Sequence, residues 1–228
     1  IYIGVVGPVR TGKSTFIKRF MDTVVIPNMD EEHHRERAID ELPQSSAVRR
    51  SMATVPKFMR GRAVTMLCGG SAGFEVGMCD CGGLNVPSRF GNMDTEILRM
   101  IRTSWEEEPI PFSMAAGIGT KKVITEHSTI GLVVTTDGTI GDIPREEYEE
   151  AEARVIQELQ EIKKPFIVLL NSAFPEEPET KELAQQMQAA YGVPVMPVNC
   201  LELEEAEIRG ILSMVLYEFP IREIKVEM

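Results

Sequence analysis

The chain has 228 residues, enough to bury the core of one α/β domain, and carries a net charge of -11. That acidity argues against a general nucleic-acid binder, since contacts with phosphates supply most non-specific affinity. No apolar run approaches the roughly 18 residues of a membrane span, and no signal peptide is visible. The four cysteines, Cys68, Cys79, Cys81 and Cys200, do not form paired C-x-x-C spacings and read as reduced cytosolic thiols.

The chain opens at Ile1 inside a strand pattern, without an initiator Met, and reads as a fragment. IYIGVVG is a buried strand and KSTFIKRFM the helix that follows. Residues 22 to 62 are polar and broken by Pro27, Pro43 and Pro56. AVTMLCG and GFEVGMCD read as a hairpin around the glycine-rich turn at 69 to 73. Residues 82 to 116 look irregular, and STIGLVVTTD is the next buried strand. The helix DIPREEYEEAEARVIQELQEI starts with Pro144 in its first turn. Its inward stripe is Tyr148, Ala151, Val155, Leu159 and Ile162, and its acidic face reads as solvated. KPFIVLLNS is a strand, and 179 to 191 a helix with Leu183, Met187 and Ala190 inward, stopping at Gly192. VPVMPVNC is the last strand, and Ile208, Ile211, Leu212 and Val215 mark a final helix. This alternation predicts an α/β fold with a mostly parallel central sheet and helices on both faces.

GPVRTGKST, residues 7 to 15, fits G-x-x-x-x-G-K-S/T between a strand and a helix. Glycines let backbone N–H groups turn inward, so the loop from Gly7 through Val9, Arg10, Thr11 and Gly12 forms a phosphate cradle with the helix N-terminus. Lys13 is placed to reach the β- and γ-phosphates, Ser14 to bind Mg²⁺, and Thr15 to touch the α-phosphate. Asp80 ends a neighbouring strand and opens D-C-G-G, a DxxG pattern of the GTPase-like branch; Asp80 is the metal acid and Gly83 the N–H that meets the γ-phosphate. Thr54 in SMATVPKF is the candidate that closes on Mg²⁺, with Ser45, Ser46 and Ser51 as competitors.

GTPases read guanine with N-K-x-D after the strand that here ends Asn171-Ser172-Ala173-Phe174. Asn171 and Ser172 stand as nucleotide-binding candidates, but lysine and aspartate are missing, which removes the acceptor for guanine and favours ATP. Leu84 follows D-C-G-G where Ras-like enzymes carry a water-orienting glutamine, so hydrolysis should be slow. Arg10, and Arg60 or Arg62, are candidates to bring charge to a γ-phosphate; surface pairing is the alternative. His33, His34 and His127 read as surface and structural residues.

IYIGVVGPVRTGKSTFIKRFM, DELPQSSA, EEPIPF, EHSTIGLVVTTDGTIGDIPRE and KPFIVLLNS together resemble the N-terminal ATPase domain of the stage IV sporulation protein A family, over nearly the whole chain. The resemblance implies a P-loop NTPase of the translation-factor-type GTPase branch that came to use ATP with Mg²⁺, spanning residues 1–228 and followed in full-length members by a C-terminal assembly region. It implies ATP hydrolysis that drives self-assembly of the spore-coat basement layer. It also implies partners among coat proteins and a small amphipathic membrane-anchoring peptide, and a place in the mother-cell cytoplasm at the outer forespore surface. The family's paired threonines read Ala53-Thr54 here, and its D-C-V-G-Y reads D-C-G-G-L. A GTPase switch and a nucleotide-bound scaffold without turnover are the alternatives.

Overall fold

The computed structural model describes residues 2–28, 36, 57–68, 72–80, 100–101, 108, 110–111, 118, 121–122, 124–126 and 128–218; the strands between 57 and 111 are described as backbone. Thr54, Gly83, Ala53 and Leu84 lie outside the described residues.

Strand β1 (Tyr2–Val6) leads through a tight loop into α1 (Lys13–Phe20), which runs on through a wider π-helical turn at Met21–Val25. Strands β2 (Lys57–Cys68) and β3 (Ala72–Asp80) follow, then the short pair β4 (Met100–Ile101) and β5 (Ile110–Pro111). The second half alternates regularly: β6 (Ile130–Thr136), α2 (Glu149–Ile162), β7 (Phe166–Asn171), α3 (Pro178–Tyr191), β8 (Val195–Val198) and α4 (Glu205–Tyr217).

The main sheet has the order β2-β3-β1-β6-β7-β8. Every neighbouring pair from β3 to β8 is parallel, as helical crossovers require, and β2 alone runs antiparallel, as the second arm of the expected hairpin with β3. β8 is an edge, which is where a strand tolerates a proline such as Pro197.

Strand residues alternate between two cores, because successive side chains leave a strand on opposite faces. Ile3, Val5, Ile130, Leu132, Val134, Ile167 and Leu169 pack with α1 (Phe16, Ile17, Phe20) and α4 (Ile208, Ile211, Leu212, Val215). Val6, Val133, Phe166, Val168 and Leu170 pack with α2 (Val155, Ile156, Leu159) and α3 (Ala184, Met187). The sheet is therefore covered on both sides, and its carboxyl edge is where the loops meet.

Two details of the amphipathic reading change. On α3 the inward stripe is Thr180, Ala184 and Met187, with Leu183 and Tyr191 packed at its margin; Ala190 is exposed. About 100° of rotation per residue carries position 190 off the stripe that reaches 191. On α2 the acidic face is not wholly solvated, since Glu152 is fully buried. Among the described residues no helix is long and apolar enough to cross a membrane.

Candidate active site

The loop between β1 and α1 starts at Gly7, whose φ is 142° and where a Cβ would stand 2.2 Å from the Val134 carbonyl of β6. Only glycine lets the chain turn so close to the neighbouring strand. The turn that follows is closed by Thr11, whose hydroxyl donates to the Pro8 carbonyl at 3.0 Å. The Lys13 ammonium donates to the same carbonyl at 2.5 Å, so the buried lysine lies folded across its own loop. Gly12 caps α1 at φ 94°. No side chain caps the helix and no acid sits in its first turn, so its leading N–H groups face the loop. Ser14 and Thr15 sit half-buried on that first turn.

The loop is held from two directions. Asn171, buried at the end of β7, donates its amide to the Thr11 carbonyl at 3.0 Å and accepts the Cys200 backbone N–H at 3.0 Å. A Cβ on Gly12 would stand 2.2 Å from that amide nitrogen, so the clamp needs glycine there as well. On the other flank Val9 is buried in a small cluster with Ile143, Tyr148 and Ala151. Ser172 is fully buried and its hydroxyl accepts the Phe174 N–H at 2.9 Å, while Thr139 accepts the Ala173 N–H at 2.9 Å. The strand end expected beside the base is thus tied to the loop after β6. The nearest following acid, Glu176, pairs with Lys181 at 2.7 Å.

The structure brings Gly7, Val9, Arg10, Thr11, Gly12, Lys13, Ser14, Thr15, Asn171 and Ser172 to the carboxyl edge of the sheet. Asp80 arrives there by register: it pairs with Val5 of β1, two residues before Gly7, and with Lys57 of β2. Serine and aspartate carry hard oxygen donors, the type that Mg²⁺ takes alongside water and phosphate oxygens.

A buried ionic network below the loop was missed in the sequence. Arg145 grips Glu152 through both nitrogens, at 2.5 and 2.8 Å, and also donates to the Thr136 carbonyl at 3.2 Å. Thr135 and Tyr191 donate their hydroxyls to the same carboxylate, Tyr191 at 2.8 Å. Burial by itself would lower the Arg145 pKa; the hydrogen bond and charge of Glu152 outweigh it and raise it. Burial, then the Glu152 charge, pushes the Tyr191 hydroxyl far up. The signal was present, because Glu152 lies on the Tyr148–Val155–Leu159 stripe, one turn from Tyr148.

A glycine-bounded loop between the first strand and helix, a lysine at its end and a mostly parallel sheet define a P-loop domain. The chain belongs to the stage IV sporulation protein A family: the model described as "Stage IV sporulation protein A, ATPase domain" matches residues 1–220. It is 51% identical to stage IV sporulation protein A of Bacillus anthracis, 50% to that of Bacillus subtilis and 46% to that of Clostridioides difficile, each over the whole chain. The chain spans 46% of the length of each of these relatives.

Proposed function

We propose that this domain binds Mg-ATP in the phosphate loop and hydrolyses it, and that hydrolysis drives self-assembly of a spore-coat basement layer on the outer forespore surface in the mother cell. The observation that carries the reading is the loop held ready by Asn171 with Lys13 at its end. On nucleotide binding Lys13 exchanges the Pro8 carbonyl for β- and γ-phosphate oxygens. The N–H groups from Val9 to Gly12 and those of the first turn of α1 hold the phosphates, with Ser14 and Thr15 beside them. Ser14, Asp80 and Thr54 hold Mg²⁺, which neutralises phosphate charge when bound. Thr54 and Gly83 close on the γ-phosphate, and hydrolysis frees them to change a self-association surface.

Asn171 and Ser172 form the floor beside the base. Adenine is favoured because Glu176 is occupied by Lys181 and no carboxylate stands three residues after Asn171 to accept the guanine N–H groups. The strand order, with its antiparallel β2–β3 hairpin, supports placement in the translation-factor-type GTPase branch. The partners are other copies of the chain, coat proteins and a small amphipathic membrane-anchoring peptide. The first test is phosphate release with Mg²⁺, comparing ATP with GTP and wild type with Lys13→Ala. Turnover that prefers ATP and vanishes in the variant supports the reading. Preference for GTP returns the domain to the switch GTPases, and tight binding without turnover makes it a scaffold.

A further inference from the structure

We infer that Arg10 is a second cation built into the phosphate loop, a catalytic arginine that acts on the γ-phosphate of the nucleotide held by its own chain. The inference rests on the ATPase reading above and deepens it.

Arg10 holds a left-handed backbone at φ 59°. Among the described residues Lys163 is the other non-glycine with positive φ, and it sits at the C-cap of α2, where that conformation is common. Arg10 ends no helix. Glycine would take this conformation freely and arginine does not, so the surroundings impose it. They can be named. Val9 before it is buried against Ile143, Tyr148 and Ala151. Thr11 after it is fully buried, with its hydroxyl on Pro8 and its carbonyl on Asn171. With both neighbours pinned, the side chain of residue 10 is driven outward, and it is exposed at the mouth of the loop.

Among the described residues no carboxylate pairs with its charge. The chain has 35 acidic residues against 24 basic ones, and every other arginine with a described side chain has a partner. Arg145, Arg154 and Arg209 bind Glu152, Glu158 and Glu205, and Arg19 binds the Leu203 carbonyl. Arg10 makes no hydrogen bond or ion pair with a described residue. A guanidinium held three residues before Lys13, at the edge of a phosphate cradle, has a polyphosphate as its natural anion.

In hydrolysis the water oxygen bonds to Pγ and the bond from Pγ to the β–γ bridging oxygen breaks. ADP leaves with that electron pair, and the proton of the water passes through the phosphate product to solvent. Negative charge gathers on the bridging and γ oxygens, where an arginine lowers the barrier.

The test measures kcat, ATP affinity and thermal midpoint of Arg10→Gly and Arg10→Lys beside wild type and Lys13→Ala. In Arg10→Gly, kcat should fall roughly 100-fold or more. ATP Kd should move by less than about fivefold, a loss confined to the transition state. The thermal midpoint should not fall, because glycine relieves the strained backbone. Arg10→Lys should recover little, lacking the fork of donors. Wild-type turnover that Arg10→Gly leaves intact, or that Arg10→Lys fully restores, overturns the role of Arg10 alone. Absence of Lys13-dependent turnover in the wild type overturns the ATPase reading and this inference with it.

Discussion

The side-chain amide of Asn171 reaches across from the end of β7 to the backbone carbonyl of Thr11, 3.0 Å away, and so ties the phosphate loop to the far half of the sheet. Its oxygen is equally engaged, by the Cys200 N–H. Both polar ends of a buried amide are satisfied, as burial demands. Asn171→Ala should leave the Cys200 N–H without a partner and cost about 1–3 kcal/mol in urea unfolding. Asn171→Asp should be no better, because a carboxylate cannot donate to Thr11. Both should weaken ATP binding by titration, through a loosened loop and an altered floor beside the base.

Gly12 and Asn171 are coupled sterically. Gly12→Ala places a methyl 2.2 Å from the Asn171 amide nitrogen and at φ 94°, so ATP binding should be lost and stability reduced. In a double-mutant cycle with Asn171→Ala the clash disappears and the backbone strain stays. The pair should therefore be less destabilised than the sum of the singles, by about 0.5 kcal/mol or more. Strict additivity of the unfolding free energies would refute the coupling.

The Arg145–Glu152 pair should dominate stability of the α2 region. Glu152→Gln strips the charge from a fully buried site and leaves Arg145 uncompensated, at a cost of about 3 kcal/mol. Tyr191→Phe removes one hydrogen bond and should cost about 1 kcal/mol. Replacing both charges, Arg145→Met with Glu152→Leu, should destabilise less than Glu152→Gln alone, as chemical denaturation would reveal.

Alkaline pH should unfold the domain through Cys200. Burial pushes its thiol from 9.0 up to about 12. Between those values the unfolded chain has lost the proton and the folded one retains it, so stability falls as pH rises. The contribution is whole below pH 9, and declines toward pH 12 by about 1.4 kcal/mol per pH unit. Tyr191, whose pKa is also raised by burial, adds in the same direction. The thermal midpoint should drop steeply above pH 9 in wild type and less steeply in Cys200→Ala. Identical slopes would remove Cys200 as the cause.

Much of the fold was legible because its signals are local. The β1–loop–α1 unit is spelled within a few residues by glycine placement, and the strands at 130–136 and 166–171 are apolar runs with nothing polar to interrupt them. The hairpin of β2 and β3 follows from the glycine-rich turn between them. Ala190 and Glu152 were misjudged for a shared reason: a helical stripe read from residue type alone has a margin, and packing decides which margin residues turn inward. Glu152 looked solvated as one acid among many on α2, until Thr135, Arg145 and Tyr191 converged on it from three other segments.

The sequence by itself determined the phosphate loop, the alternation of strands and helices and the family, because each is written in short spacings that the backbone obeys wherever they occur. The tertiary structure alone decided the strand order, the buried partners of Glu152 and the double engagement of Asn171 with Thr11 and Cys200. It also decided the outward setting of Arg10 between two buried neighbours, Val9 and Thr11. Asn171 and Thr11 stand 160 residues apart in the chain. Which distant groups share a hydrogen bond depends on how two cores close over one sheet, and no local spacing encodes that.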